Sequence, residues 1–152
     1  MTQPVTIRAA GAADTERVRA LVHEAYARWV PVIGREPMPM RADFDQALRD
    51  HAIDLLYAGD QMVGLIEMIL GDDHLYIENV AVAPAFQGRG FGQMLMAHAE
   101  EVAARGCLAE IRLRTNAAFA RNIAIYRQLG YAFSREEPFM GGTTVHMRKR
   151  LA

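Results

Sequence analysis

The chain has 152 residues, enough for one hydrophobic core and too few for two ordinary domains. Of these 51% are apolar and 23% charged, an ordinary globular composition, and the charges nearly cancel to a formal −1. That balance leaves no electrostatic footprint for nucleic acid or an anionic membrane, no apolar run reaches membrane-spanning length, and a lone cysteine rules out an internal disulfide framework.

The opening "MTQPVTIRAA" lacks the apolar centre of a secretory signal, so a cytoplasmic protein is expected, and its "VTIRAA" is a first strand. Asp14 is placed to cap a helix. Val18, Leu21, Val22, Ala25, Tyr26 and Trp29 follow at i, i+3, i+4 spacing and carry that helix to about Val30. "PVIGREPMPM", with three prolines and a glycine, is expected to be a loop, followed by a short helix from about Asp43 to Asp50. "IDLLYAGDQMVGLIEMIL" has the pattern of two strands around a Gly-Asp turn, and "LYIENVAV" is the next strand after the turn "GDDH".

Then comes "QGRGFG". Beyond it Phe91, Leu95, Ala99 and Val102 form one helical stripe that ends near Gly106, a C-cap candidate. Cys107 falls between this helix and the strand "AEIRLRT", where a buried small residue is expected. A helix "AAFARNIAIYRQLG" closed by Gly130 and two strands, "YAFSREE" and "TTVHMRK", complete the order β α α β β β α β α β β. A sheet with helices on both faces is the packing solution for that order.

Three glycines in five residues between a strand and a helix imply an anion site. The first helical N–H groups have no intrahelical partner, and glycine lets the backbone approach a ligand closely. A Walker loop does not fit, because Met94 stands six positions after Gly88 and no lysine is near. A dinucleotide fingerprint does not fit either, since it would need glycine at Gln93.

What fits is Q-x-x-G-x-G, made by Gln87, Gly90 and Gly92 after "VAVAP". In this the chain resembles the GNAT superfamily of acyl-CoA-dependent N-acetyltransferases. "IENVAV" is similar to the family strand along which pantetheine lies. "RNIAIYRQLGYAF" resembles the family's N-x-x-A-x-x-x-Y-x-x-x-G-F region through Asn122, Ala124, Tyr126, Gly130 and Tyr131. "VHMRKRL" resembles its methionine-bearing last strand, and "IGREPMPM" resembles a loop found in one bacterial subgroup. The resemblance implies an α/β (α+β) fold in a single domain over 1–152, with a mixed, mostly antiparallel twisted sheet between helices. It also implies acetyl-CoA as co-substrate, no metal, and a possible homodimer.

Acetyl transfer needs a neutral amine, a group to take its proton, donors for the carbonyl oxygen, and a fate for the thiolate. The resemblance implies that Val80, Ala81, Val82, Gln87, Gly88, Arg89, Gly90, Phe91, Gly92 and Asn122 hold acetyl-CoA, with the Val80 amide as oxyanion donor where two strands splay. It makes Tyr126 the acid, although the amphipathic helix by itself, with Phe119, Ile123 and Leu129 alongside, favours a core aromatic there. For the base, Glu78 stands two residues before Val80 and would share its strand face if the strand is regular. Glu67, in the apolar strand "GLIEMIL", is a second carboxylate, and a water chain is the third route. Tyr26, Trp29, Arg35, Met38, Met40 and Glu67 are the expected acceptor wall, Tyr26 and Trp29 being core positions otherwise. His23, His51, His74, His98 and His146 show no ligand spacing, so no metal is expected. The expected activity is transfer of acetyl to a primary amine of a small molecule, by direct attack in a ternary complex. The alternatives are acetylation of a protein N-terminus or lysine, and a non-catalytic acyl-CoA sensor.

Overall fold

Every strand expected from the apolar patterning forms, and in the expected order. The computed structural model describes residues 3–151, so Met1 and Thr2 of the segment read for a signal lie outside it. The elements are β1 (Val5–Ala9), α1 (Thr15–Tyr26), α2 (Val30–Ile33), α3 (Phe44–Asp50), β2 (Ala52–Ala58), β3 (Gln61–Leu70), β4 (His74–Val82), α4 (Phe91–Arg105), β5 (Glu110–Asn116), α5 (Ala120–Gln128), β6 (Ala132–Phe139) and β7 (Gly142–Arg150). One seven-stranded sheet runs β1-β2-β3-β4-β5-β7-β6. Only β4 and β5 are parallel, joined by the crossover through α4; every other neighbour is antiparallel.

The two sheet faces carry separate cores because strand side chains alternate. Leu56, Val63, Ile66 and Met68 meet Leu95, Met96, Ala99 and Ala103 of α4, with Ile123, Tyr126 and Leu129 of α5 alongside. Leu55 and Leu65 face the other way, onto Val18, Leu21 and Val22 of α1 and Phe44 of α3. The two helix pairs thus lie on opposite faces.

Four local readings are corrected. The helical path does not stop at Val30: after α1 a tighter turn spans Ala27–Trp29, and α2 continues to Ile33. Pro31 sits in the first turn of α2, where its missing N–H has no partner to lose, and Gly34 at φ 75° closes the turn. Met38–Arg41 form another single 3-10 turn, so the expected loop is mostly helical turns. Asp14 does not cap α1 with its side chain. Its buried carboxylate turns back to accept from the Gly11 N–H at 2.9 Å, from Arg8 at 3.0 Å and from Arg17 at 3.1 Å. Cys107 is exposed rather than buried, because it takes φ 56° in the turn leaving α4.

Candidate active site

The site begins where two strands part. β4 pairs with β5 only from His74–Ile77 against Glu110–Leu113; beyond that β5 follows β7 while β4 follows β3. At the same place β4 carries a bulge, since Glu67 opposes Asn79 and Met68 opposes Ile77, leaving Glu78 without a partner. The bulge switches faces. Leu75 and Ile77 belong to the α4 core, but so do Val80 and Val82, while Ala81 turns to the α1 core. Glu78 and Val80 therefore do not share a face, which corrects the expectation from regular alternation.

The hydrogen-bond pattern orients the backbone of this segment. Ala83 donates to the Val63 carbonyl at 2.9 Å, so in antiparallel order Ala81 pairs with β3 while Val80 and Val82 turn their polar groups away from it. Both carbonyls are taken by side chains on that outer side. Gln87 Nε2 donates to the Val82 carbonyl at 3.0 Å; the Tyr26 hydroxyl donates to Asn79 Oδ1 at 2.7 Å and lies 3.2 Å from the Val80 carbonyl. A strand residue points its N–H and C=O to the same edge, so the Val80 amide faces the gap between β4 and β5.

Two cavities meet in that gap. The larger, about 490 Å³, runs from Val80 to Val82 past Gln87, Gly88, Gly90, Phe91 and Gly92 to Arg121. Gly90 precedes α4 at φ 85° with no side-chain cap, and the first turn holds no acidic residue, so the leading amides of a 15-residue helix are left for an anion. Gly88 and Gly90 both have positive φ, and a Cβ on either would meet no protein atom within 4 Å. Their bare faces form part of the cavity wall, a cradle suited to a diphosphate. The smaller cavity, about 140 Å³, lies between α2, the Met38 turn, β5 and the β6–β7 hairpin. Tyr26, Val80, Asn122 and Tyr126 line both.

The polar groups at the junction are tuned by burial. Burial raises the Tyr126 hydroxyl to about 12, and no charged neighbour contributes. Burial also raises Tyr26, with help from Tyr126, Glu67 and Glu78. Glu67 is raised by burial and partly brought back by His51, whose Nδ1 lies 2.5 Å from its Oε2.

A family model described as "Acetyltransferase (GNAT) family" matches residues 18–131. The chain belongs to this family. The GNAT assignment agrees with streptothricin acetyltransferase of Streptomyces lavendulae, 36% identical over 62 residues; that match covers 41% of the chain and spans about a third, 33%, of the length of the relative. Among solved structures, the PaiA N-acetyltransferase of Thermoplasma acidophilum in complex with coenzyme A has a TM-score of 0.84 at 15% identity, covering 97% of this chain and 99% of the other. A GNAT family acetyltransferase of Elizabethkingia anophelis with acetyl-CoA bound has a TM-score of 0.73 at 17% identity, covering 97% and 98%. At these identities the structural likeness speaks for the fold.

In this GNAT domain the expected residues fall into three groups. Val80, Ala81, Val82, Gln87, Gly88, Gly90, Phe91, Gly92 and Asn122 line the larger cavity; Arg89 does not, its guanidinium lying 5.2 Å over the Phe86 ring. Tyr26, Arg35, Met38 and Glu78 line the smaller one. Trp29 lies on the larger cavity instead, its ring 4.3 Å from Phe119, while Met40 and Glu67 line neither. Asn79, Arg114, Phe119, Glu137 and Phe139 were not legible as site residues. A buried asparagine inside "YIENVAV" was the one available sign. Among the described residues no group of three His, Cys, Asp or Glu side chains has metal-holding geometry, and no helix is long and apolar enough to cross a membrane.

Proposed function

We propose that this protein transfers the acetyl group of acetyl-CoA to the primary amine of a small molecule, with both substrates bound at once. The observation that carries the reading is the junction: two cavities, one with the glycine cradle and one without, share Tyr26, Val80, Asn122 and Tyr126. The modest volume of the second cavity favours a compact acceptor over a peptide.

Gln87 to Gly92 and the first turn of α4 would hold the pyrophosphate, and the outward edge of Val80–Val82 the pantetheine arm. Acetyl-CoA supplies an activated thioester, so the amine nitrogen bonds to the carbonyl carbon as the carbon–sulfur bond breaks. The Val80 amide donates to the carbonyl oxygen as charge gathers there. Tyr126, which keeps its proton through any ordinary pH, gives it to the leaving sulfur. Glu78, on the acceptor side and loosely matched with Arg114 at 3.8 Å, takes the proton the amine releases, directly or through water. Glu67 is tied to His51 and has no place in the transfer.

Titration calorimetry with acetyl-CoA, followed by thiol release over a panel of small amines, tests this. Micromolar binding with turnover on one amine class is the expected result. Binding without turnover on any amine would leave a sensor, and no binding would overturn the reading of the glycine turn.

A further inference from the structure

Four charged side chains line the acceptor cavity: Arg35, Glu78, Arg114 and Glu137. Three have partners within the protein. Arg114 faces Glu78, and Glu137 meets His146 Nε2 at 2.7 Å and Arg135 at 3.5 Å. Arg35 is different. No carboxylate among the described residues lies within ion-pair distance of it; its Nη1 donates to the Glu36 carbonyl at 3.1 Å, and its guanidinium lies over the Phe139 ring, 5.6 Å from the centroid. It is half-buried and lines the acceptor cavity but not the larger one.

A guanidinium stays charged at any working pH, and its planar fork is made to take a carboxylate with two parallel hydrogen bonds. Here the fork is pre-oriented by a ring below and a carbonyl at one corner, which reduces what a ligand must order on binding. The same cavity is lined by apolar Ile33, Met38, Pro39 and Phe139 and by polar Asn79, Thr115, Asn116 and Thr144. A cavity with one unmatched positive charge, a lining part apolar and part amide and hydroxyl, and an acyl-transfer junction shared with the glycine cradle fits a ligand of one kind. Building on the acetyl-transfer reading, we propose that the acceptor is a free amino acid, its carboxylate held by Arg35 and its amine directed to the junction. A diamine would bring a second cation toward Arg35, and a peptide α-amine would bring no adjacent carboxylate.

The test is a ratio measured within each variant. Leucine, phenylalanine and methionine are assayed for acetyl-CoA-dependent thiol release, each beside its amide and its decarboxylated amine. The wild-type protein should prefer the acid over the amide by roughly ten- to a hundredfold in kcat/KM, and Arg35→Ala should bring that ratio to about one. Arg35→Lys, a point charge without the fork, should fall between them. A packing role for Arg35 would not move the ratio. Wild-type protein that uses amides or amines as well as acids, or an Arg35→Ala protein that keeps the preference, overturns the assignment and leaves acetyl transfer standing. Should no amine be turned over, the comparison moves to binding, as the thermal shift of the CoA-loaded protein by N-acetylleucine and by N-acetylleucinamide. A shift from the acid alone, lost in Arg35→Ala, keeps the carboxylate site while acetyl transfer falls; equal or absent shifts overturn the carboxylate site.

Discussion

Tyr126 packs against the α4 core and lines both cavities, which separates the packing of its ring from the acid role proposed for its hydroxyl. Replacing it with Phe keeps the ring and removes the proton. Tyr126→Phe should lower kcat by an order of magnitude or more, within the range for loss of a general acid, while calorimetry gives an unchanged acetyl-CoA affinity. The hydroxyl also predicts a pH profile. A free tyrosine would lose its proton near ~10; burial holds this one to about 12. The rate should rise with pH as the amine loses its proton and show no downturn through pH 10; a fall centred near 10 that is absent in Tyr126→Phe would overturn the raised pKa, leaving Tyr126 an acid with an ordinary phenol. Asp14 supports stability rather than chemistry. Hydrogen bonds from Arg8, then from the Gly11 N–H, hold its carboxyl at about 2, below the ~3.9 of an unfolded chain. The folded pKa is the lower one, so the stabilisation is complete above ~4 and is lost as pH falls toward about 2. Asp14→Asn should cost roughly 1–3 kcal/mol at pH 7 by urea unfolding, and the gap to wild type should narrow as pH falls through that window.

Among the elements, what could be read in advance was whatever repeats locally. The stripe Leu95, Ala99, Val102 and the alternation of "AEIRLRT" each declare their element without help from elsewhere. The bulge at Glu78 does not, because it exists only in the register between β3 and β4, and no pattern within "LYIENVAV" marks it. That one residue decides which faces Glu78 and Val80 occupy. The acceptor wall was hard to read for a similar reason: Arg114, Glu137 and Phe139 come from β5 and β6, far from the α2 turns they face, and only the strand order brings them together. The glycine turn was legible because its constraint is local. Gly90 at φ 85° has no protein atom where a Cβ would go, so Gly90→Val should meet backbone strain and fill the cradle without disturbing a core. Acetyl-CoA affinity should fall about tenfold or more by calorimetry, with a small loss of thermal stability; unchanged affinity would move the diphosphate elsewhere.

At the scale of the whole molecule, a mostly antiparallel sheet is opened at its single parallel step, and the helix pairs on its two faces leave a passage through the opening. The shared lining of that passage offers tyrosine, valine and asparagine, with no thiol or other ready nucleophile, while Cys107 lies exposed beyond α4. Initial rates measured against both substrates should therefore give intersecting double-reciprocal lines; parallel lines would require an acyl-enzyme that the junction has no group to form. Binding of both substrates at once, as proposed, also means that spent coenzyme need not leave before a fresh amine arrives. Free CoA and amine can sit together in an unproductive complex, so excess amine should become inhibitory as CoA accumulates. In a cell, such an enzyme would respond to the proportion of CoA that is acetylated more than to the supply of its acceptor, slowing as that proportion falls even while amine is plentiful.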